Sequence, residues 1–158
     1  MVQARVYVET SVVSYLTSRP SRDVVVAGHQ QVTQDWWETQ RKRFQLAISE
    51  LVVQEASAGD ADASAARLRV LEELEVLEIS EDALSLAFKL VEQRAIPKKS
   101  VEDALHIGVA VTNGVEYLLT WNYKHLANAA MRTSIENICR ANGYEPSIIC
   151  TPEELMEV

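Results

Sequence analysis

Cysteine and long apolar runs are both scarce in this sequence. The 158 residues include two cysteines, Cys139 and Cys150, which are too few for a disulfide framework or a cysteine-rich zinc site. No apolar run approaches the roughly 20 residues that a membrane-spanning helix needs. The start, MVQARVYVE, lacks the basic and apolar regions of a secretory signal. We therefore expect a reduced, cytoplasmic protein without a membrane segment.

Glycine is also scarce, and the five glycines are scattered. The chain contains no G-x-G-x-x-G, no G-x-x-x-x-G-K-[ST] and no G-x-S-x-G motif. These absences argue against the common phosphate-binding loops and against a hydrolase nucleophile elbow. Because no linker, repeat or low-complexity tract interrupts the chain, we expect one domain over residues 1–158.

The charge balance is acidic, with a net charge of −8. This balance argues against a protein that coats nucleic acid nonspecifically, because such binding depends on neutralising phosphates. An enzyme that acts on nucleic acid is still compatible with it, since a cation held by acids reverses the local field.

Strand and helix patterns alternate along the chain. Short β-branched and aromatic runs predict five strands, at 6–8, 44–49, 75–80, 115–121 and 146–151. Amphipathic segments between them predict helices, including one that starts near Pro20, one capped by Ser80 and ended by Pro97, and one stopped by Gly114. A short helix with Thr151 as its cap, and with Glu154 completing a capping box, is predicted after the fifth strand. The alternation predicts an α/β fold with a mostly parallel sheet of about five strands, covered by helices on both faces.

Acidic and amide side chains follow the strands of this predicted sheet. Glu9 ends the first strand, and the second leads to Glu50 and Glu55. Asp103 lies in the first turn of the helix that precedes the fourth strand, and Asn122 lies just past that strand. The carboxyl ends of parallel strands meet at one edge, where ligands bind. Crowded carboxylates repel one another unless a hard cation such as Mg²⁺ or Mn²⁺ binds them.

Each of these residues also has a structural interpretation. Asp103 follows Ser100 by three residues and can complete a capping box. Glu50 and Glu55 can be solvated helix acids, which is the preferred interpretation for Glu50, and Asn122 can be an ordinary turn residue.

Histidine, lysine and tryptophan raise further alternatives. His106 is more typical of a packed histidine than of a ligand, His125 can cap the following segment, and His29 has no evident role. Lys98 and Lys99 precede the helix that carries Asp103, so they can face a phosphate backbone or lie in a solvated loop. The adjacent Trp36 and Trp37 cannot both face the core from one helix, which suggests a homodimer interface.

Four segments together resemble a known family. YVETSVVSYL, ISELVVQEAS, DALHIGVA and YLLTWNYKHLANA look like the successive motifs of the PIN-domain family, especially its VapC-like toxin branch. The resemblance implies a Rossmann-like α/β/α sandwich and a Mg²⁺- or Mn²⁺-dependent ribonuclease. It also implies RNA as substrate, frequent homodimers and an antitoxin that masks the site.

The resemblance also implies roles for individual residues. The family's first three acids fall on Glu9, Glu55 and Asp103, which would hold the metal. The fourth position, often Asp in the family, falls on Asn122, and Thr10 or Ser11 matches a small hydroxyl residue that supports the site. Either hydroxyl residue can also cap a helix beginning at Val12.

Two departures and two alternatives accompany this assignment. Glu9 is longer than the usual Asp, and Asn122 removes a charge that would help to hold a second metal. The leading hypothesis is a metal-dependent endoribonuclease toxin, with Lys98 and Lys99 guiding the phosphate. The alternatives are a catalytically weak RNA-binding or regulatory module and, last, a phosphate-accepting receiver domain.

Overall fold

The computed structural model describes residues 2–156 and contains one five-stranded sheet. The strands are β1 (Arg5–Val8), β2 (Gln45–Ser49), β3 (Glu75–Leu77), β4 (Tyr117–Leu119) and β5 (Ile148–Cys150). They are all parallel, in the order β3-β2-β1-β4-β5. The predicted α/β sandwich with about five strands is therefore confirmed, and its sheet is wholly parallel. Met1, Glu157 and Val158, at the ends of the predicted domain 1–158, lie outside the described residues.

Seven α-helices of the described residues connect the strands and cover the sheet. Their bounds are α1 (Thr10–Thr17), α2 (Val24–Thr39), α3 (Glu50–Ala56), α4 (Ala61–Leu71), α5 (Glu81–Glu92), α6 (Val101–Thr112) and α7 (Ala129–Ala141). Short 3-10 turns precede β2 (Arg41–Arg43) and α6 (Lys98–Ser100). None of these helices combines the length and the apolar character that crossing a membrane requires.

Several helix ends follow the caps expected from the sequence. The Ser80 side chain accepts a hydrogen bond from the backbone N–H of Ala83, and Gly114 ends α6 with a positive φ of 70°. This left-handed conformation favours glycine because any Cβ is strained there. Local chemistry thus determines where these two helices begin and end.

Three other segments differ from expectation. The first helix begins at Thr10, directly after Glu9, and not at Val12. The second begins at Val24, capped by Asp23, and not near Pro20. Residues 152–155 form turns, although Thr151 and Glu154 exchange the expected capping-box hydrogen bonds at 3.0 and 3.2 Å.

The helix α6 packs tightly against α5 and carries much of the core. Its residues from 106 to 111 are all buried. A Cβ added to Gly108 would lie 2.4 Å from the backbone oxygen of Ala83, so only glycine allows this approach. The same helix carries Asp103 and His106, so its packing against α5 sets where both side chains lie.

The order of the strands defines one crevice. Strand β1 lies at the centre, between β2 and β4, and Val6, Tyr7 and Val8 are fully buried. The chain leaves β1 towards β2 on one side, whereas β4 pairs on the other side. Ligands bind at such a switch point, outside the carboxyl ends of the strands. Glu9 lies at this point.

Candidate metal centre

Glu9 is a buried carboxylate at the tip of the central strand. It is 7% exposed, and its backbone N–H donates to the carbonyl oxygen of Leu119 at the end of β4. The hydroxyls of Ser11 and Thr120 donate to the same carboxylate oxygen, Oε1, at 2.5 and 2.6 Å. Ser11 thus orients the acid, whereas the sequence also allowed it a capping role. Oε2 accepts no hydrogen bond from the described residues, so it is available to a ligand.

Glu55 approaches the same place from α3. Its Oε1 accepts a hydrogen bond from the Thr10 hydroxyl and lies 2.9 Å from Nε2 of His106. Burial alone would raise the pKa of Glu55. The hydrogen bond and the charge of His106, together with the Thr10 hydrogen bond, outweigh burial and lower this pKa below its ordinary value. The side chain is therefore held in its charged form.

Buried polar side chains are connected to Glu55 by hydrogen bonds. The Tyr7 hydroxyl lies 2.8 Å from the Ser49 hydroxyl and 2.7 Å from Nδ1 of His106, which is 1% exposed. Burial, together with the charges of Glu9 and Glu55, raises the pKa of Tyr7 well above its ordinary value, so Tyr7 keeps its proton. Ser49, Tyr7, His106 and Glu55 therefore form one continuous hydrogen-bonded chain.

His106 is the residue that the sequence interpretation underestimated. Glu9, Glu55 and His106 each offer one ligand atom, and these atoms all lie within 4.8 Å of one another. The histidine is packed, as its helical position suggests, and it also faces the two acids. Its spacing from Asp103, three residues along α6, places both on neighbouring positions of one helix face and was the available signal.

Asp103 stands outside that group and has its own partners. Its Oδ1 accepts a hydrogen bond from the Asn122 amide at 3.1 Å, and its Oδ2 lies 2.9 Å from Nδ1 of His125. Ser100 makes no side-chain capping bond, so the capping-box interpretation of Asp103 lacks its first half. Asn122 also accepts from the backbone N–H groups of Lys124 and His125, which makes it a turn residue as well.

An open groove joins the two sets of side chains. Glu55 and Asp103 line it together with Lys99 and Glu102. Lys98, the other predicted phosphate-guiding lysine, lines a separate groove beside Phe88. Glu50 is exposed at the start of α3. Of the two lysines, only Lys99 therefore lies beside the predicted acids.

The donor set fits a hard divalent cation. Carboxylate oxygens are the ligands that Mg²⁺ and Mn²⁺ prefer, and an imidazole nitrogen is better suited to Mn²⁺ than to Mg²⁺. On Glu9 and Glu55, hydrogen bonds orient one carboxylate oxygen and leave the other available. Supporting hydrogen bonds of this kind are what hold metal ligands in place in proteins.

Comparison with known proteins gives a family match and a set of similar folds. The family model described as PIN domain matches residues 6–130. This range includes Glu9, Glu55, Asp103 and Asn122. No curated protein sequence matches the chain at a significant level.

Several solved structures share the fold at low sequence identity. One, from the crystal structure of VapBC2 from Rickettsia felis bound to a promoter DNA fragment, is 18% identical with a TM-score of 0.61. The match covers 93% of this chain and 98% of that one. A second, Mycobacterium tuberculosis VapC20, described as a sarcin–ricin loop cleaving toxin, is 17% identical with a TM-score of 0.56. Coverage is 77% of this chain and 93% of that one.

A third structure comes from Haemophilus influenzae. The VapBC-1 structure of a nontypeable strain is 13% identical with a TM-score of 0.60, over 94% of this chain and 98% of the other. At these identities the likeness is one of fold, and it agrees with the parallel sheet described above.

Proposed function

We propose that this chain, which belongs to the PIN-domain family, is a divalent-metal-dependent endoribonuclease and the toxin of a type II toxin–antitoxin pair. The observation that carries the proposal is the close approach of Glu9 and Glu55, with Asp103 lining the same groove as Glu55. Glu9 follows β1, and Glu55 and Asp103 lie in α3 and α6, so the three acids are distant in sequence. Carboxylates that lie close together repel one another, and a bound cation relieves that repulsion.

Glu9, Glu55 and Asp103 would hold Mg²⁺ or Mn²⁺, and His106 would orient Glu55 through its hydrogen bond. When bound, the metal ion activates water and neutralises the charge that develops on a phosphodiester. Thr10, Ser11 and Thr120 keep the carboxylates in place through their hydroxyls. Asn122 orients Asp103, and Lys99 guides the phosphate along the groove. Neither Lys98 nor Glu50 has a role in this scheme.

The test of the activity is cleavage of single-stranded RNA by the purified chain. We expect cleavage with Mn²⁺ or Mg²⁺, and no cleavage after the metal is removed by excess chelator. Full activity in excess chelator would overturn the metal-dependent mechanism.

A catalytically weak RNA-binding or regulatory module is the second candidate. The specific observation in its favour is Asn122, which donates to Asp103 where a further carboxylate would bind metal. The two candidates differ in one measurement. Mn²⁺ binding without cleavage of any RNA would favour the module, whereas Mn²⁺ binding with cleavage favours the nuclease.

The proposal includes an antitoxin and a homodimer. Solved structures with this fold include a toxin–antitoxin complex from Klebsiella pneumoniae. A small neighbouring gene encoding a DNA-binding protein that blocks cleavage would support the pair. Its absence, with no inhibitory partner recovered from the source cells, would count against it.

The predicted homodimer interface cannot include Trp36. Trp36 is fully buried within the chain and its indole N–H donates to the backbone oxygen of Leu155, so it cannot form an interface. Trp37 is half-buried, and the Arg41 guanidinium lies 4.7 Å above its ring. Trp37 is therefore the tryptophan that remains available. A monomer by light scattering at tens of micromolar would contradict the proposed dimer.

A further inference from the structure

Three aromatic rings form an ordered stack beside the candidate metal centre. Trp121 is buried, and its indole N–H donates to the Thr33 hydroxyl at 2.7 Å. The His29 ring lies over it at 4.2 Å between ring centres and 14° between planes. Tyr15 lies 6.0 Å from Trp121 with an angle of 20°. Because these rings come from α1, α2 and the segment after β4, the tertiary fold alone assembles them.

Tyr123 ends this stack at the surface. Its ring centre lies 5.6 Å from that of His29 and 6.0 Å from that of Trp121. The residue is 49% exposed, so part of its ring faces solvent. We call these four residues the aromatic platform: Tyr15, His29, Trp121 and Tyr123. Its inner rings are packed, so the outer ring is held in place before any ligand arrives.

The aromatic platform is directly connected to the metal centre. The backbone N–H of Trp121 donates to the Ser11 hydroxyl at 2.8 Å, and this hydroxyl donates to Glu9. Asn122, between the two platform residues of this segment, contacts Asp103. Tyr123 therefore follows directly after two residues that are hydrogen-bonded to the metal centre.

The charges around Tyr123 favour a neutral ligand over an anionic one. Partial burial raises the pKa of Tyr123, and the charges of Glu153 and Glu154 raise it further. A phosphate placed on this ring would meet the same negative field, whereas a nucleobase carries no charge. The cation near the acids is Lys99, which lines the groove with Glu55 and Asp103. The charges therefore favour a neutral base at Tyr123 and a phosphate at Lys99.

We propose that the aromatic platform stacks a nucleobase of single-stranded RNA on Tyr123, next to the phosphodiester held at the metal centre. The proposal rests on the proposed ribonuclease function and names its substrate class as unpaired RNA. Unpaired bases offer a free π face that any aromatic side chain can stack on, and bases inside a duplex do not. Selectivity for single strands follows from this geometry.

The experiment measures RNA affinity separately from cleavage. A short fluorescent single-stranded oligoribonucleotide is titrated with the full chain in Ca²⁺, and a gel confirms that the RNA stays intact. We expect Tyr123→Ala to bind about 5- to 150-fold more weakly, the range that corresponds to loss of one stacked base. Tyr123→Phe keeps the ring and should bind like the wild type. Phe88→Ala, which removes an exposed aromatic ring from α5, should change nothing.

A second substrate distinguishes the loss of base stacking from a folding defect of the variant. An oligonucleotide with an abasic site at the stacked position should bind Tyr123→Ala and wild type equally. A loss that is equally large with this substrate would contradict stacking. Equal affinity of wild type and Tyr123→Ala, with cleavage by the wild type in Mn²⁺, would overturn the platform and leave the ribonuclease proposal standing.

Two further outcomes would also decide the matter. A wild-type chain that neither binds nor cleaves RNA would overturn the platform together with the ribonuclease proposal. A Tyr123→Ala variant that binds RNA normally but loses affinity for an arginine-rich peptide would assign the platform to a basic protein partner and overturn the RNA proposal.

Discussion

On one side of the candidate metal centre, Glu9 and Glu55 each receive their hydrogen bonds on a single carboxylate oxygen. On the other side, Asp103 has a partner for each of its oxygens, Asn122 and His125. We call the group of Glu9, Glu55 and His106 the inner side. The outer side is the group of Asp103, Asn122 and His125. The inner side is backed by buried groups, whereas Asn122 on the outer side is half-buried.

The difference shows two ways of compensating carboxylate charge. On the inner side, hydroxyl and imidazole donors orient the acids and leave one oxygen of each available for a cation. On the outer side, an amide and an imidazole already satisfy the acid. Asn122 is where this contrast arises, because an amide can donate to Asp103 and a carboxylate would repel it. The inner side is therefore expected to dominate metal binding.

The largest effect is expected for Glu9→Gln. Metal at a hundredfold excess over its dissociation constant should stabilise the wild type by about 2.7 kcal/mol, a rise in Tm of roughly 5 to 10 °C. The variant keeps the oxygen that accepts from Ser11 and Thr120 but loses the charge, so the rise should vanish. Cleavage should fall on the order of 100-fold or more.

The measurement for Glu9→Gln is a pair of melting curves, with and without Mn²⁺, together with a cleavage assay. Glu50→Gln, which removes an exposed acid of the same type from α3, serves as the matched control and should behave like the wild type. A full metal-induced rise in Glu9→Gln would show that the inner side does not bind the metal.

A smaller effect is expected for Asp103→Asn on the outer side. The variant should lose part of the metal-induced rise in Tm, and cleavage should fall on the order of 10- to 100-fold. Without metal its stability should stay close to that of the wild type, since removing one acid also relieves repulsion. The same melting curves and cleavage assay measure both effects.

Ser100→Ala is the control for Asp103→Asn, because Ser100 makes no side-chain capping bond and its loss should change neither Tm nor activity. If Asp103→Asn instead costs roughly 0.5 to 1 kcal/mol with or without metal, and keeps the full metal-induced rise, Asp103 is a structural acid.

The smallest effect concerns the pH dependence of Glu55 in the absence of metal. Its pKa in the folded chain lies below the ordinary value of 4.5. The charged form therefore contributes stability that is fully present above pH 4.5 and is lost as the pH falls through the lower folded-state pKa. The difference in unfolding free energy between wild type and Glu55→Gln should shrink towards acid pH. A difference that is independent of pH would contradict the His106–Glu55 interaction as described.

Much of the fold was predictable because its determinants are local. Val6, Tyr7 and Val8 form the buried central strand, as their β-branched and aromatic side chains favour. Ser80 and Gly114 cap the helices where expected. The helix starts at Thr10 and Val24 were missed because side-chain hydroxyls and Pro20 suggested other starts, and Asp23 made the stronger cap.

The candidate site was only partly predictable. The resemblance assigned Glu9, Glu55, Asp103 and Asn122, and the structure places Glu9 beside Glu55 and Asp103 beside Asn122. Lys99 lines the groove with Glu55 and Asp103, and Lys98 lines a separate groove. His106 was interpreted as a packed residue, because its spacing of three residues from Asp103 does not by itself show that the imidazole faces an acid from another helix. His29 had no assigned role because its stacking partner, Trp121, lies 92 residues further along the chain.

The sequence by itself determined the alternation of strands and helices, the acid at the tip of the central strand and the family. These properties depend on side-chain patterns within a few residues, which the local backbone follows. Only the tertiary structure decided that His106 joins Glu9 and Glu55, that Asp103 pairs with Asn122 and His125, and that Tyr123 ends an aromatic stack beside them. Those contacts join segments far apart in the chain, and their distances are set by how α6 packs on α5 and how β4 pairs with β1.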